Sequence, residues 1–400
     1  MKLSESVERN REVYDFDRIV DRRGTDSVKW SRYEADVLPL WVADMDFPSP
    51  DPVIDAVVKR VEHGVFGYGV EPQELRSTVQ ARLQGLYGWE VQPDDLLFLP
   101  GVVPGFNLAA RAVGEQGDGV LIQTPVYPPF FAAGPNSGRT IEQAPLVLTD
   151  RGYEIDFDAF EAAITPRTRM FLLCNPHNPV GRVFTRPELE RLAEICIRHD
   201  LIICSDEIHQ DFIYDGRIHY PIAALGPEVA ERTVTLIAPS KSFNVAGFHF
   251  SVAVITDPEL RKRASAAGAG LLPNHLGVLD YVAGLTAYQK GDEWLRQVMV
   301  YLEGNRDFLM GYLRDNLPGV TMVEPEGTYL AWLDCRHAGI DGSPAEFFLR
   351  EARVGLNEGK SFGSQSEQFV RLNFGCPRST LMAALDRMKV ALERLPDRVY

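Results

Sequence analysis

The sequence predicts an α/β protein, a large domain built on a mainly parallel sheet with a smaller α+β domain attached. Three observations carry this expectation. From about residue 96 to about residue 285, short apolar runs alternate with segments of helical spacing, the pattern of strands joined by crossover helices. Beyond residue 286 that alternation stops, and helical stretches flank two isolated strand-like runs. The chain also has 400 residues, more than one hydrophobic core normally serves. The limits are drawn at 46–285 for the large domain, leaving 1–45 and 286–400 for an N-terminal arm and the small domain.

Composition narrows the function classes. Apolar residues make up 45% and charged residues 24%, as in an ordinary globular protein. The 41 Lys and Arg against 56 Asp and Glu leave a net charge of -15, which argues against nucleic acid and anionic membrane as partners. No apolar run reaches the length of a membrane span, and the charged segment Met1 to Trp30 lacks the pattern of a signal peptide. Five scattered cysteines, with no C-x-x-C pair, read as reduced thiols of a cytoplasmic protein.

Taken in order, the first thirty residues read as an extended arm. Closely spaced prolines in Leu38 to Pro50 mark a turn, and Asp51 to His63 has helical spacing at Val53, Ile54, Val57, Val58 and Val61, with Pro52 in the first turn. Gly64 to Gly69 is a glycine-rich loop that carries Phe66 and Tyr68 outward. Leu96 to Leu99 is a strand, Pro100-Gly101 a turn, and Val103 to Val113 a helix. Strands follow at Val120 to Thr124, Met170 to Cys174, Leu201 to Ser205, Thr233 to Ala238 and Phe248 to Ile255, with a helix from Arg186 to His199. The smaller domain reads as a helix from Glu293 to Asn316, strands at Thr328 to Leu333 and Phe369 to Asn373, and a helix from Ser379.

The candidate chemistry sits just past the carboxyl ends of these strands, where ligands gather in parallel α/β sheets. Lys241, in A-P-S-K-S-F-N-V-A-G, lies at a strand-turn junction where burial lowers the pKa of an ammonium and frees the amine to form an imine. Asp206 ends one strand, and a desolvated carboxylate there needs a cationic partner. Two Asn-Pro pairs in N-P-H-N-P-V-G force a turn that presents Asn178. Prolines on both sides stiffen the loop holding Tyr127, whose ring can stack on a flat ligand. The Gly101 turn leads into a helix N-terminus that suits a phosphate. An imine-forming lysine, a carboxylate for a pyridinium nitrogen, a phosphate cup and a stacking ring together specify pyridoxal 5'-phosphate.

The same segments carry a resemblance almost end to end. Y-D-F-D, D-R-R-G-T, W-V-A-D-M-D-F, P-G-V-V-P-G, Q-T-P-V-Y-P-P-F, N-P-H-N-P-V-G, S-D-E-I-H-Q-D, A-P-S-K-S-F-N-V-A-G, E-G-T-Y-L-A-W-L-D and R-L-N-F-G-C-P-R follow in the expected order. The chain resembles the fold-type I, class I/II aminotransferase-like pyridoxal phosphate enzymes, and within them the cystathionine β-lyase-like carbon-sulfur lyases. The resemblance implies a seven-stranded-type sheet, with the N-terminal segment packed on the small domain. It implies that Lys241 is the imine lysine and Cα base, Asp206 the ring-nitrogen partner, Asn178 the donor to the phenolic oxygen and Tyr127 the stacking ring. Gly101, Val102, Val103 and Ser240 would hold the phosphate, Tyr68 would reach the phosphate in the neighbouring subunit of a homodimer, and Arg371 would clamp the substrate carboxylate.

Two positions depart from the wider aminotransferase pattern. His209 stands where typical aminotransferases have a tyrosine, which is the lyase-like form. His249 stands eight residues after Lys241, where many relatives place an arginine for the phosphate, and is a weaker cation. His177 and Glu207 read as structural. The implied reaction is α,β-elimination from L-cystathionine or another cysteine S-conjugate. Transamination is the alternative, and a non-catalytic binding protein on the same scaffold ranks below it.

Overall fold

The computed structural model describes residues 13–395; residues 1–12, the start of the expected arm, and 396–400 lie outside the described residues. After the arm come α1 (Asp51–Glu62) and α2 (Leu75–Tyr87), then β1 (Leu96–Leu99) and α3 (Val102–Ala112). The sheet continues with β2 (Gly119–Thr124), β3 (Thr140–Pro145), β4 (Thr168–Cys174), β5 (Ile202–Asp206), β6 (Thr233–Ile237) and β7 (Ser251–Val254). These form one seven-stranded sheet in the order β1-β7-β6-β5-β4-β2-β3. Only β7 runs against its neighbours; the other pairings are parallel.

Sequence and layering agree for a physical reason. A parallel sheet is covered by helices on both faces, so its strands are apolar throughout and do not alternate. Every residue of β2 and of β6 is buried. Leu99, Phe106, Ile122, Leu172 and Leu236 pack on one face with α3, while Leu121, Phe171, Leu173 and Ile203 pack on the other with the helix Arg186–Arg198.

A 25-residue helix, Asp292–Asn316, leads into the second sheet. There β8 (Leu330–Asp334) and β9 (Phe369–Asn373) pair antiparallel, flanked by Thr321–Met322 and Asn357–Glu358, and the helix Arg378–Glu393 covers them. The arm joins this part, since Leu38–Pro39 pairs with Val354–Gly355.

Some bounds shift from the expected ones. Lys241 sits in a single helical turn, Pro239–Ser242, because Pro239 sets the first helical φ after Ala238. β7 begins at Ser251 instead of Phe248, since the Phe250 N–H closes a tight turn onto the Phe248 carbonyl. β8 begins at Leu330 instead of Thr328, whose φ of 68° is left-handed and incompatible with a strand.

Candidate active site

One cavity of about 370 Å³ opens at the carboxyl ends of the parallel strands, within the range of roughly 300–1,000 Å³ usual for small-molecule sites. Gly101, Val102, Val103, Tyr127, Asn178, Asp206, His209, Ser240, Lys241, His249 and Arg371 all line it. Of the sequence-predicted positions only Tyr68 lies elsewhere, fully exposed on the loop after α1.

Sheet register brings the central groups together. Asp206 ends β5 beside Cys174 of β4 and Leu236 of β6, so the segments that follow those strands carry Asn178 and Lys241 to either side of it. The Asp206 carboxylate is buried, accepts from the Ile208 N–H at 3.1 Å, and makes no ion pair with any described residue. Burial pushes it up to about 7, partly offset by that hydrogen bond and by Lys241. Burial also lowers the Lys241 ammonium to about 8, against the pull of Asp44 and with Arg371 adding to the depression. Both groups are therefore short of a countercharge.

Arg371 projects from β9 and is buried without a carboxylate. Its Nη1 donates to Asn178 Oδ1 at 3.0 Å and its Nη2 to the Trp41 carbonyl at 2.9 Å, while Nε has no partner. The Phe362 ring lies 5.0 Å from the guanidinium carbon. Desolvation lowers Arg371 to about 10, the mark of a cation held ready for an anion. Because Asn178 receives Arg371 through Oδ1, its amide N–H groups are left for another acceptor.

The turn N-P-H-N-P-V-G is pinned by its own residues. The His177 ring nitrogens face the Cys174 and Pro125 carbonyls, and burial lowers this imidazole to about 4, leaving it neutral. Glu207, also buried, accepts from Ser205 and pairs with His219 at 2.9 Å. Neither His177 nor Glu207 lines the cavity.

At the phosphate-type end, Gly101 has φ 123°, and the N–H groups of Val102 and Val103 start an 11-residue helix with no acceptor of their own. The Gly101 N–H is already donated to Ser251 Oγ at 3.2 Å, so Val102 and Val103 are the open donors. Ser240 and His249 also line the cavity. His209 is buried, lowered to about 3 by desolvation and the nearby cations, and its Nδ1 has no partner. Open N–H donors, an uncompensated carboxylate and a flat ring at Tyr127 fit a planar cofactor that bears a phosphate and a protonated ring nitrogen.

Trp41, Val42 and Ala43 from the arm, which carried no chemical motif, also stand in the cavity wall, as does Asn357. The segment W-V-A-D-M-D-F was visible as a pattern, but nothing in it marks a backbone carbonyl as a site group.

A doubly wound sheet whose strand ends gather a lysine, a lone carboxylate and an unpaired arginine defines an α/β enzyme of amino-acid chemistry. The chain belongs to the aminotransferase class I and II family, whose model matches residues 35–388. It is 40% identical to the cystathionine beta-lyase PatB of Bacillus subtilis (strain 168), covering 94% of this chain and 99% of that protein. The crystal structure of OvoB superposes with a TM-score of 0.91 at 44% identity, covering 96% of this chain and 100% of that one. Cystalysin from Treponema denticola, solved with a pyridoxal 5'-phosphate cofactor, gives a TM-score of 0.92 at 33% identity, covering 96% and 99%.

Proposed function

We propose that this chain is a pyridoxal 5'-phosphate-dependent carbon-sulfur lyase of the cystathionine β-lyase type, acting on L-cystathionine or another cysteine S-conjugate. The carrying observation is the convergence on one cavity of the buried Asp206 and Arg371 with the part-buried Lys241, none of them ion-paired with a described residue. When bound, the cofactor supplies an electron sink that makes the Cα–H of an amino acid acidic.

The chain's own groups then divide the work. Val102 and Val103 N–H groups, Ser240 and His249 would hold the phosphate, Tyr127 would stack on the ring, and Asn178 would donate to the phenolic oxygen. Asp206 would keep the ring nitrogen protonated and would itself be ionised beside that cation. Arg371 receives the substrate carboxylate through its guanidinium fork. Lys241 Nζ takes the Cα proton as a general base, which a pKa near 8 allows close to neutral pH. The thiolate departs from the β-carbon. In overall balance one water is consumed, one C–S and one C–N bond break, and a thiol, pyruvate and ammonia are formed.

The same reading makes the protein a cytoplasmic homodimer. All five cysteines are free and buried, and Val65, Phe66, Tyr68 and Val70 form an exposed apolar stretch suited to a second copy. No described helix is long and apolar enough to cross a membrane.

Incubating the enzyme with a cysteine S-conjugate and no keto acid tests the reaction. Thiol and pyruvate should form together through many turnovers. A halt after one equivalent per site would assign transamination instead.

A further inference from the structure

Three segments, W-V-A-D-M-D-F, E-G-T-Y and the asparagine of R-L-N-F, have no part in the reaction as described, yet they meet at one backbone carbonyl. Residues 41–47 form a strap with neither strand nor helix. Their carbonyls are instead taken up by side chains. Arg371 donates to Trp41, and Asn244 Nδ2 donates to Met45 and Phe47 at 3.0 and 2.7 Å. Asn373 Nδ2 donates to Val42 and Asp44 at 2.6 and 2.7 Å, clamping the carbonyls on either side of Ala43. The Ala43 carbonyl accepts from the Tyr329 hydroxyl at 2.9 Å and from Lys241 Nζ at 2.6 Å.

Tyr329 and Asn373 are fully buried and line no part of the cavity. Tyr329 packs edge-on against Phe212 and His209, with centroids at 4.9 and 5.8 Å. Asn373 is fixed in register opposite Leu330, and its Oδ1 accepts from the Gly375 N–H at 2.7 Å. Behind the strap, the buried Lys29 donates to the Asp44 carbonyl at 3.1 Å and pairs with Asp46 at 2.7 Å. The small-domain sheet and the arm thus fix one carbonyl in front of a lysine supplied by the large sheet.

We propose that the Ala43 carbonyl is the resting acceptor of the Lys241 amine whenever that amine is not bonded to the cofactor, and that Tyr329 and Asn373 are positioning residues that hold it there. The proposal rests on the reading of Lys241 as the cofactor-bonding lysine and Cα base. An N–H aimed at a carbonyl fixes Nζ in place and directs the nitrogen lone pair elsewhere. The charged form makes the stronger bond, so the carbonyl favours the ammonium and moderates the effect of burial. Other charged and titratable groups facing Nζ are Asp44 from the strap, Asp206 and His209 from the end of β5, and Arg371 from β9. Tyr329→Phe and Asn373→Ser change none of their charges.

The test uses the cofactor-free protein first. Competitive labelling of Lys241 with acetic anhydride across pH, read by peptide mass spectrometry, reports the titration midpoint of the amine. Tyr329→Phe should move that midpoint down by roughly half a pH unit relative to wild type. In the holoenzyme the acid limb of the kcat profile should move the same way. There kcat should fall about tenfold and KM should change less than about twofold, because orientation is lost and binding is not. If Tyr329→Phe fails to fold, Asn373→Ser carries the same measurement with the same expected direction. A wild-type labelling midpoint in the folded variant overturns the proposal, whatever its turnover. Retained turnover in Lys241→Ala would instead remove the functional reading, leaving the labelling result intact.

Discussion

Arg371 is a buried guanidinium whose only acceptors among the described residues are an amide oxygen and a carbonyl, and such a cation has desolvation left uncompensated until an anion arrives. Its planar fork suits a carboxylate in a way a single ammonium cannot match. Arg371→Lys should therefore raise KM for a cysteine S-conjugate about 30-fold, a loss of about 2 kcal/mol, with kcat within about threefold of wild type. Steady-state kinetics separates the two constants. An unchanged KM would place the substrate carboxylate elsewhere. At this scale the sequence was legible wherever a reactive side chain directly followed an apolar strand, as for Asp206 and Lys241. It was not legible for Ala43, because its role comes from a backbone oxygen approached by Lys241 and Tyr329, 198 and 286 residues away.

Among the elements, the junction of β1 and α3 shows how little is needed to build an anion cradle. Gly101 at φ 123° turns the chain so that the first residues of the helix, Val102 and Val103, stand in the cavity wall. A Cβ at this position would meet only Pro104 Cδ at 3.5 Å, an ordinary contact, so the cost of a side chain is conformational and not steric. Gly101→Ala should then strain the turn by about 1–3 kcal/mol and weaken cofactor affinity about tenfold, while the fold persists. Fluorescence titration of the cofactor-free variant with pyridoxal phosphate measures this, and wild-type affinity would show that the turn is not the phosphate cradle. The buried strands were legible from pattern, since buried parallel strands are continuously apolar; the edge strand β3, in which only Ala144 is buried, and the helices Leu75–Tyr87, Pro258–Gly268 and Val278–Lys290 were not. The ends of elements were also less legible. Thr328 and Asn244 adopt left-handed φ values of 68° and 53°, and single residues of that kind leave no trace in hydrophobic pattern.

For the whole molecule, the arrangement depends on joining parts that lie far apart in sequence. Arg182, beyond the Asn178 turn, pairs with both Glu188 and Glu326, at 2.8 and 2.9 Å, and Glu326 also receives the Val183 N–H. This network ties E-G-T-Y to the large sheet and so holds Tyr329 against the strap. The loop with Phe66 and Tyr68 is the opposite case, exposed and outside its own chain's cavity. If Tyr68 serves the phosphate of a second copy, each site in a homodimer is built from two chains, and defects on different chains must complement. Lys241→Ala and Tyr68→Ala proteins, each of low activity alone, should regain activity when mixed under conditions of subunit exchange. The mixed dimer then has one site with both lesions and one with neither. With random exchange of equal amounts, half of the dimers are mixed, so recovery should approach about one quarter of wild type, by the effective pairing of intact halves. No recovery, with exchange verified by mass, would mean that Tyr68 acts within its own chain or not at all.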